Sequence, residues 1–85
     1  MPKNLILYTT LGCSLCEKAK AEIWPLLEQF QLRLREVDIA DDSQLLDRFA
    51  TRIPLVGLGD PEDVCGWPFD REQLQEWLLR RLPEL

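Results

Sequence analysis

The stretch LILYTTLGCSLCEKAK, residues 5–20, decides how the rest of the chain is read. An apolar run ends in Thr9 and Thr10, a glycine follows at Gly12, and two cysteines stand three positions apart at Cys13 and Cys16. An Ala/Lys/Glu-rich segment leads away. The apolar run reads as a strand buried on both faces, because its residues do not alternate with polar ones. Beyond Gly12, Leu15, Ala19, Ile23, Leu26, Leu27 and Phe30 recur near helical spacing, so residues 14–29 read as a helix. Pro25 interrupts that pattern. It removes the hydrogen bond to the Ala21 carbonyl, and the expectation is a bend near Ala21–Trp24.

On this map Cys13 caps the helix and Cys16 lies in its first turn. A helix N-terminus leaves backbone N–H groups free and carries about half a positive charge. A thiolate at Cys13 can accept hydrogen bonds there from Leu15 and Cys16. A free thiol is only ~3% ionised at pH 7, so such a cap raises the reactive fraction at Cys13. Cys16 faces the body of the domain. That asymmetry suits thiol–disulfide exchange, in which Cys13 attacks a disulfide and Cys16 resolves the mixed disulfide.

Further along, LRLREVDI (32–39) is a strand whose arginines place it at a sheet edge. Asp41 or Asp42 caps a second helix bearing Leu45, Leu46 and Phe49 on one face. PLVGL (54–58) and VCGW (64–67) are short strands around a GDPED turn. FDREQLQEWLLRRL (69–82) is an amphipathic helix with Leu74, Trp77, Leu78 and Leu82 inward, and Asp70 with Gln73 as its capping pattern. Arg80-Arg81, the chain's one adjacent basic pair, suits that helix's C-terminus. The order β-α-β-α-β-β-α makes one α/β domain over residues 1–85. A right-handed crossover joins two parallel strands, and a hairpin completes a four-stranded mixed sheet flanked by three helices.

Composition narrows the function. The 85 residues include no histidine, which excludes Cys–His nucleophile pairs and Cys₂His₂ zinc sites. Three cysteines cannot all pair. The net charge of −5 argues against nucleic-acid or anionic-membrane partners. The short apolar opening fits neither a signal peptide nor a membrane span, and the expected compartment is the cytoplasm. A zinc site within one chain would need Cys65 and a carboxylate beside the pair, so no resident metal is expected. A cluster shared between chains and a purely structural pair stay open as rivals to the redox dithiol.

The same residues resemble the glutaredoxin branch of the thioredoxin-like fold, over nearly the whole chain. LILYTTLGCSLCEKAK is similar to that family's strand–CxxC–helix opening, REVDI to the end of its second strand, and RIPLV to its cis-proline segment. VCGWPFDREQLQEWL resembles its last strand, glycine turn and closing helix. The closest likeness is to small glutaredoxin-like proteins of unestablished substrate. The resemblance implies a cis bond at Ile53–Pro54 beside the active sulfur, with the Ile53 backbone docking a peptide or glutathione. It also implies substrate contacts from Gly12, Ser14, Leu15, Arg52, Cys65 and Gly66. No bound cofactor is expected, and glutathione enters as a co-substrate. Partners would be protein disulfides or glutathione mixed disulfides, with glutathione or a reductase returning electrons to a monomer.

Four departures bear on glutathione. The lysine that the family carries before its first cysteine is replaced by Thr9-Thr10-Leu11, and its Pro-Tyr by Ser14-Leu15. Arg52 stands where the family has threonine, and Cys65-Gly66 where it has a glycine pair. The plainer readings are a packing role for Cys65, core anchoring for Trp24, Trp67 and Trp77, and a charge-paired surface for Lys18, Lys20, Glu17 and Glu22.

Overall fold

The computed structural model describes residues 3–82. The elements are β1 (Lys3–Thr9), α1 (Ser14–Gln29), β2 (Leu32–Asp38), a 3₁₀ turn (Ile39–Asp41), α2 (Ser43–Phe49), β3 (Leu55–Gly57), β4 (Val64–Gly66) and α3 (Arg71–Arg81). The sheet order is β2-β1-β3-β4. β1 and β2 are parallel, whereas β1–β3 and β3–β4 are antiparallel. This is the expected α/β fold with a four-stranded mixed sheet, and β2 is an edge strand.

β1 is buried on both faces because its residues alternate between two cores. Leu5 and Leu7 join Val56 under α1 and α3, where Ala19, Ile23, Leu26, Leu74 and Leu78 close the larger core. Tyr8 points the other way and meets Ile39, Phe49 and Leu55 under α2. The pleat therefore explains why a continuous apolar run is needed here. Phe49 is the one buried residue of the seven-residue α2, and its ring lies 4.9 Å from that of Tyr8.

Some expectations shift. Trp24 is 64% exposed rather than a core anchor, because the inward stripe of α1 runs through Cys16, Ala19, Ile23 and Leu26, and Trp24 lies beside that stripe. Leu46 is likewise exposed, since Leu45 and Phe49, four apart, already define the inward side of α2. Trp67 and Trp77 do pack against the larger core, each half-buried. The second strand stops at Asp38, whose carboxylate accepts the Ala40 N–H at 2.9 Å and starts the 3₁₀ turn. Ile39 then turns into the core instead of continuing the strand. α1 passes through Pro25 as one element, with Ala21 and Pro25 both exposed, so water can reach the Ala21 carbonyl.

α3 starts on the expected capping box: Asp70 accepts the Gln73 N–H at 2.8 Å, and the Gln73 side chain accepts the Asp70 N–H at 3.0 Å. Its C-terminal turn is tied down by Arg81. The guanidinium makes two hydrogen bonds to Asp63, at 2.6 and 2.8 Å, and lies 4.1 Å over the Trp77 ring. Among the described residues no helix is long and apolar enough to cross a membrane.

Candidate active site

The site is assembled where β1 gives way to α1. Gly12 adopts φ +77, a left-handed conformation that L side chains rarely take, so the turn needs glycine for its backbone and not for space. Cys13 follows with extended backbone and caps α1, its Sγ accepting the Cys16 N–H at 3.2 Å. Of the two donors expected for that sulfur, the Cys16 amide is the one engaged. Cys13 and Cys16 are joined as a disulfide, with Cα atoms 5.3 Å apart. Cys16 is 3% exposed, whereas Cys13 is only half-buried. The outer sulfur is thus the one a second molecule can reach.

An open cleft of about 570 Å³ borders the disulfide. Gly12, Cys13, Ser14 and Cys16 line it together, as do Thr9, Thr10 and Leu11 before them. Leu15 is not part of the lining but is 42% exposed in the first turn of α1, and Leu11 is 91% exposed. The far wall carries charge: Glu17 and Lys20 from α1, Glu36 and Asp38 from β2. Lys20 Nζ lies 2.7 Å from Glu36 and 3.7 Å from Glu17. The hydrogen bond to Glu36 holds the ammonium above its ordinary pKa, against a smaller desolvation effect. The charge-paired surface expected for Lys20 is present, but its stronger partner comes from β2.

The Arg52–Pro54 segment enters β3 at the same end of the sheet. Tyr8 pairs with Leu55, so Pro54 is level with the end of β1, and Gly66 pairs with Leu55 on the next strand. The Ile53–Pro54 and Trp67–Pro68 bonds are cis, and the Pro54 carbonyl accepts the Trp67 N–H at 3.0 Å. Pro54 is buried, and Ile53 packs into the α2-side core. Arg52 is exposed, 5.8 Å from the centre of the Phe49 ring, and does not line the cleft.

Cys65 lies elsewhere. It pairs with Val56 in β4, packs against the core under α3, and borders a separate cavity of about 230 Å³ with Gln73, Glu76, Trp77 and Arg80. Burial pushes its thiol above the usual range, with Arg81 pulling the other way. Among the described residues no three of Cys, Asp and Glu gather into a metal-sized cluster.

Glu36 and Asp38 stand in the cleft wall although no local sequence pattern singles them out. The signal was available in the parallel crossover, since parallel strands bring their C-terminal ends together and Thr9 stands opposite Asp38. What the pattern lacked was the register.

The model of the glutaredoxin-like domain family (DUF836) matches residues 4–79, a span that includes the Cys13–Cys16 pair. The chain belongs to the glutaredoxin-like family. A glutaredoxin-like protein of Dictyostelium discoideum is 30% identical over 87 aligned positions, covering 92% of this chain and 80% of that one. An X-ray structure of a structural-genomics target from X. campestris superposes with TM-score 0.71 at 31% identity, covering 87% of this chain and 93% of the other. A malarial protein shares the fold alone, with TM-score 0.68 at 15% identity over 96% of this chain and 99% of that one. These neighbours share the thioredoxin-like fold of the glutaredoxin-like chain described here.

Proposed function

We propose that this glutaredoxin-like chain is a thiol–disulfide oxidoreductase acting in the cytoplasm as a monomer. The observation that carries the reading is the asymmetric pair: an accessible Cys13 at the cap of α1, disulfide-bonded to a buried Cys16 in its first turn. In the reduced protein the Cys13 thiolate attacks one sulfur of a substrate disulfide. A Cys13–substrate mixed disulfide forms and one substrate thiolate leaves. The Cys16 thiol, losing its proton to solvent or to that thiolate, attacks Cys13 Sγ. The second substrate thiolate departs, and the Cys13–Cys16 disulfide returns. Two electrons have passed to the substrate, and a thiol reductant, either glutathione or a dithiol reductase system, restores the pair.

Gly12, Ser14 and Leu15 border the reacting sulfur, while the Arg52–Ile53–Pro54 segment and Gly66 supply backbone on which a substrate chain docks. Cys65 contributes through its backbone beside Gly66, with its thiol turned to α3. The chemistry needs no bound metal or organic cofactor. The reading is tested by reduction of a neutral peptide disulfide with dithiothreitol as electron source. Wild type should accelerate it and Cys13→Ser should not. Cys16→Ser, reduced and then freed of dithiothreitol, should accumulate a mixed disulfide on Cys13 with the peptide, visible by intact mass. Acceleration that survives Cys13→Ser refutes the assignment. A wild type with no acceleration favours a binding module that keeps the fold without turnover.

A further inference from the structure

The walls of the disulfide cleft say which disulfides suit it. Its ionisable residues are Glu17, Lys20, Glu36 and Asp38, a net charge of −2. The single cation is held by two of the carboxylates, at 2.7 and 3.7 Å, so it is not free for an incoming anion. The preceding turn, Thr9 to Gly12, carries no charge, and Arg52 lies outside the lining. Ionising Cys13 adds a further negative charge. An anionic disulfide therefore meets repulsion on this side of the sulfur. The cleft's one large apolar side chain, Leu11, is 91% exposed.

We propose that the substrate is a protein disulfide whose cysteine is flanked by a lysine or arginine, drawn by the net negative wall that Glu17, Glu36 and Asp38 give the cleft. Oxidised glutathione and other anionic disulfides are disfavoured. This rests on the oxidoreductase reading and names its substrate class. The reaction is the exchange already written, with the electrons coming from the Cys13–Cys16 dithiol.

The test uses three end-blocked peptides, each dimerised through its cysteine: Leu-Cys-Lys-Gly, Leu-Cys-Ser-Gly and Leu-Cys-Glu-Gly. Each enzymatic rate is divided by that of dithiothreitol alone on the same peptide, which cancels differences in leaving thiol. With charges about 9 Å apart in a water-like dielectric, the Lys peptide should be favoured over the Glu peptide about tenfold at ~10 mM salt and about threefold at ~150 mM. The double variant Glu36→Gln, Asp38→Asn should bring the ratio close to one at either salt. Equal wild-type rates, or a ratio that ignores both salt and the double variant, overturn the substrate class while the Ser peptide's turnover leaves the oxidoreductase reading intact. No acceleration of any peptide, the Ser peptide included, overturns both.

Discussion

With Cys16 replaced by serine, the reduced chain should be alkylated by iodoacetamide at Cys13 about threefold faster than free cysteine at pH 7. The serine keeps the backbone N–H that reaches Cys13 Sγ at 3.2 Å and removes the competing thiol. A charge at a partly buried helix N-terminus gains on the order of 1.4 kcal/mol, about tenfold in ionisation. A tenfold gain lifts the thiolate fraction at pH 7 about eightfold, but the more acidic thiolate is intrinsically about threefold less nucleophilic. The product is the threefold figure. Glu17, Glu36 and Asp38 oppose the effect and Lys20 supports it, all through water, so they trim it without reversing it. Cys65 is an internal reference: it is half-buried, its thiol is pushed up by burial, and it should react slowest. The assay is a peptide-resolved mass time course from pH 5 to 9. The Cys13 profile should turn about one pH unit below that of free cysteine. A profile at or above the free-cysteine one refutes the capping argument.

Three further outcomes follow from the fold. Phe49→Ala empties the fully buried site that fixes α2 and the approach to Ile53, and should cost about 3–5 kcal/mol in urea unfolding, against a total of roughly 4–13 kcal/mol for a chain this size. Asp70→Ala removes the acceptor of the Gln73 N–H and should cost about 1 kcal/mol by the same measurement. Arg81 holds the Asp63 carboxyl below the usual carboxylate range, so the pair's stabilisation is present above the unfolded value and lost as pH falls through the lower folded one. The difference in Tm between wild type and Asp63→Asn should therefore shrink as the pH drops below about 4.

Much of this architecture was legible because local chemistry and tertiary packing agree. Asp70 and Gln73 write a capping box, and Gly12 followed by Cys13 writes a turn into a helix. The unbroken apolar run of β1 reports a strand with a core on each side. Trp24 lies outside the core although its spacing fits, because a residue adjacent to a helical stripe satisfies the same spacing within the tolerance of a short pattern. Leu46 misled for the same reason in a helix of two turns. The cleft wall was hidden for a different reason: Lys20 and Glu36 meet through a crossover, and no local pattern records which rung of β2 faces which turn of α1. The pairing of Arg81 with Asp63 and its stacking on Trp77 escaped likewise, since a basic residue at a helix C-terminus is already satisfied by the helix dipole.

The central claim is that Cys13 and Cys16 form a redox-active dithiol, and a titration of the pure protein in glutathione buffers, read by intact mass, addresses it most directly. The account predicts a reversible loss of two hydrogens located at Cys13–Cys16, with a midpoint between about −270 and −180 mV, the range spanned by thioredoxin, glutaredoxins and disulfide isomerase. Thiols that stay unpaired across that whole range would contradict it.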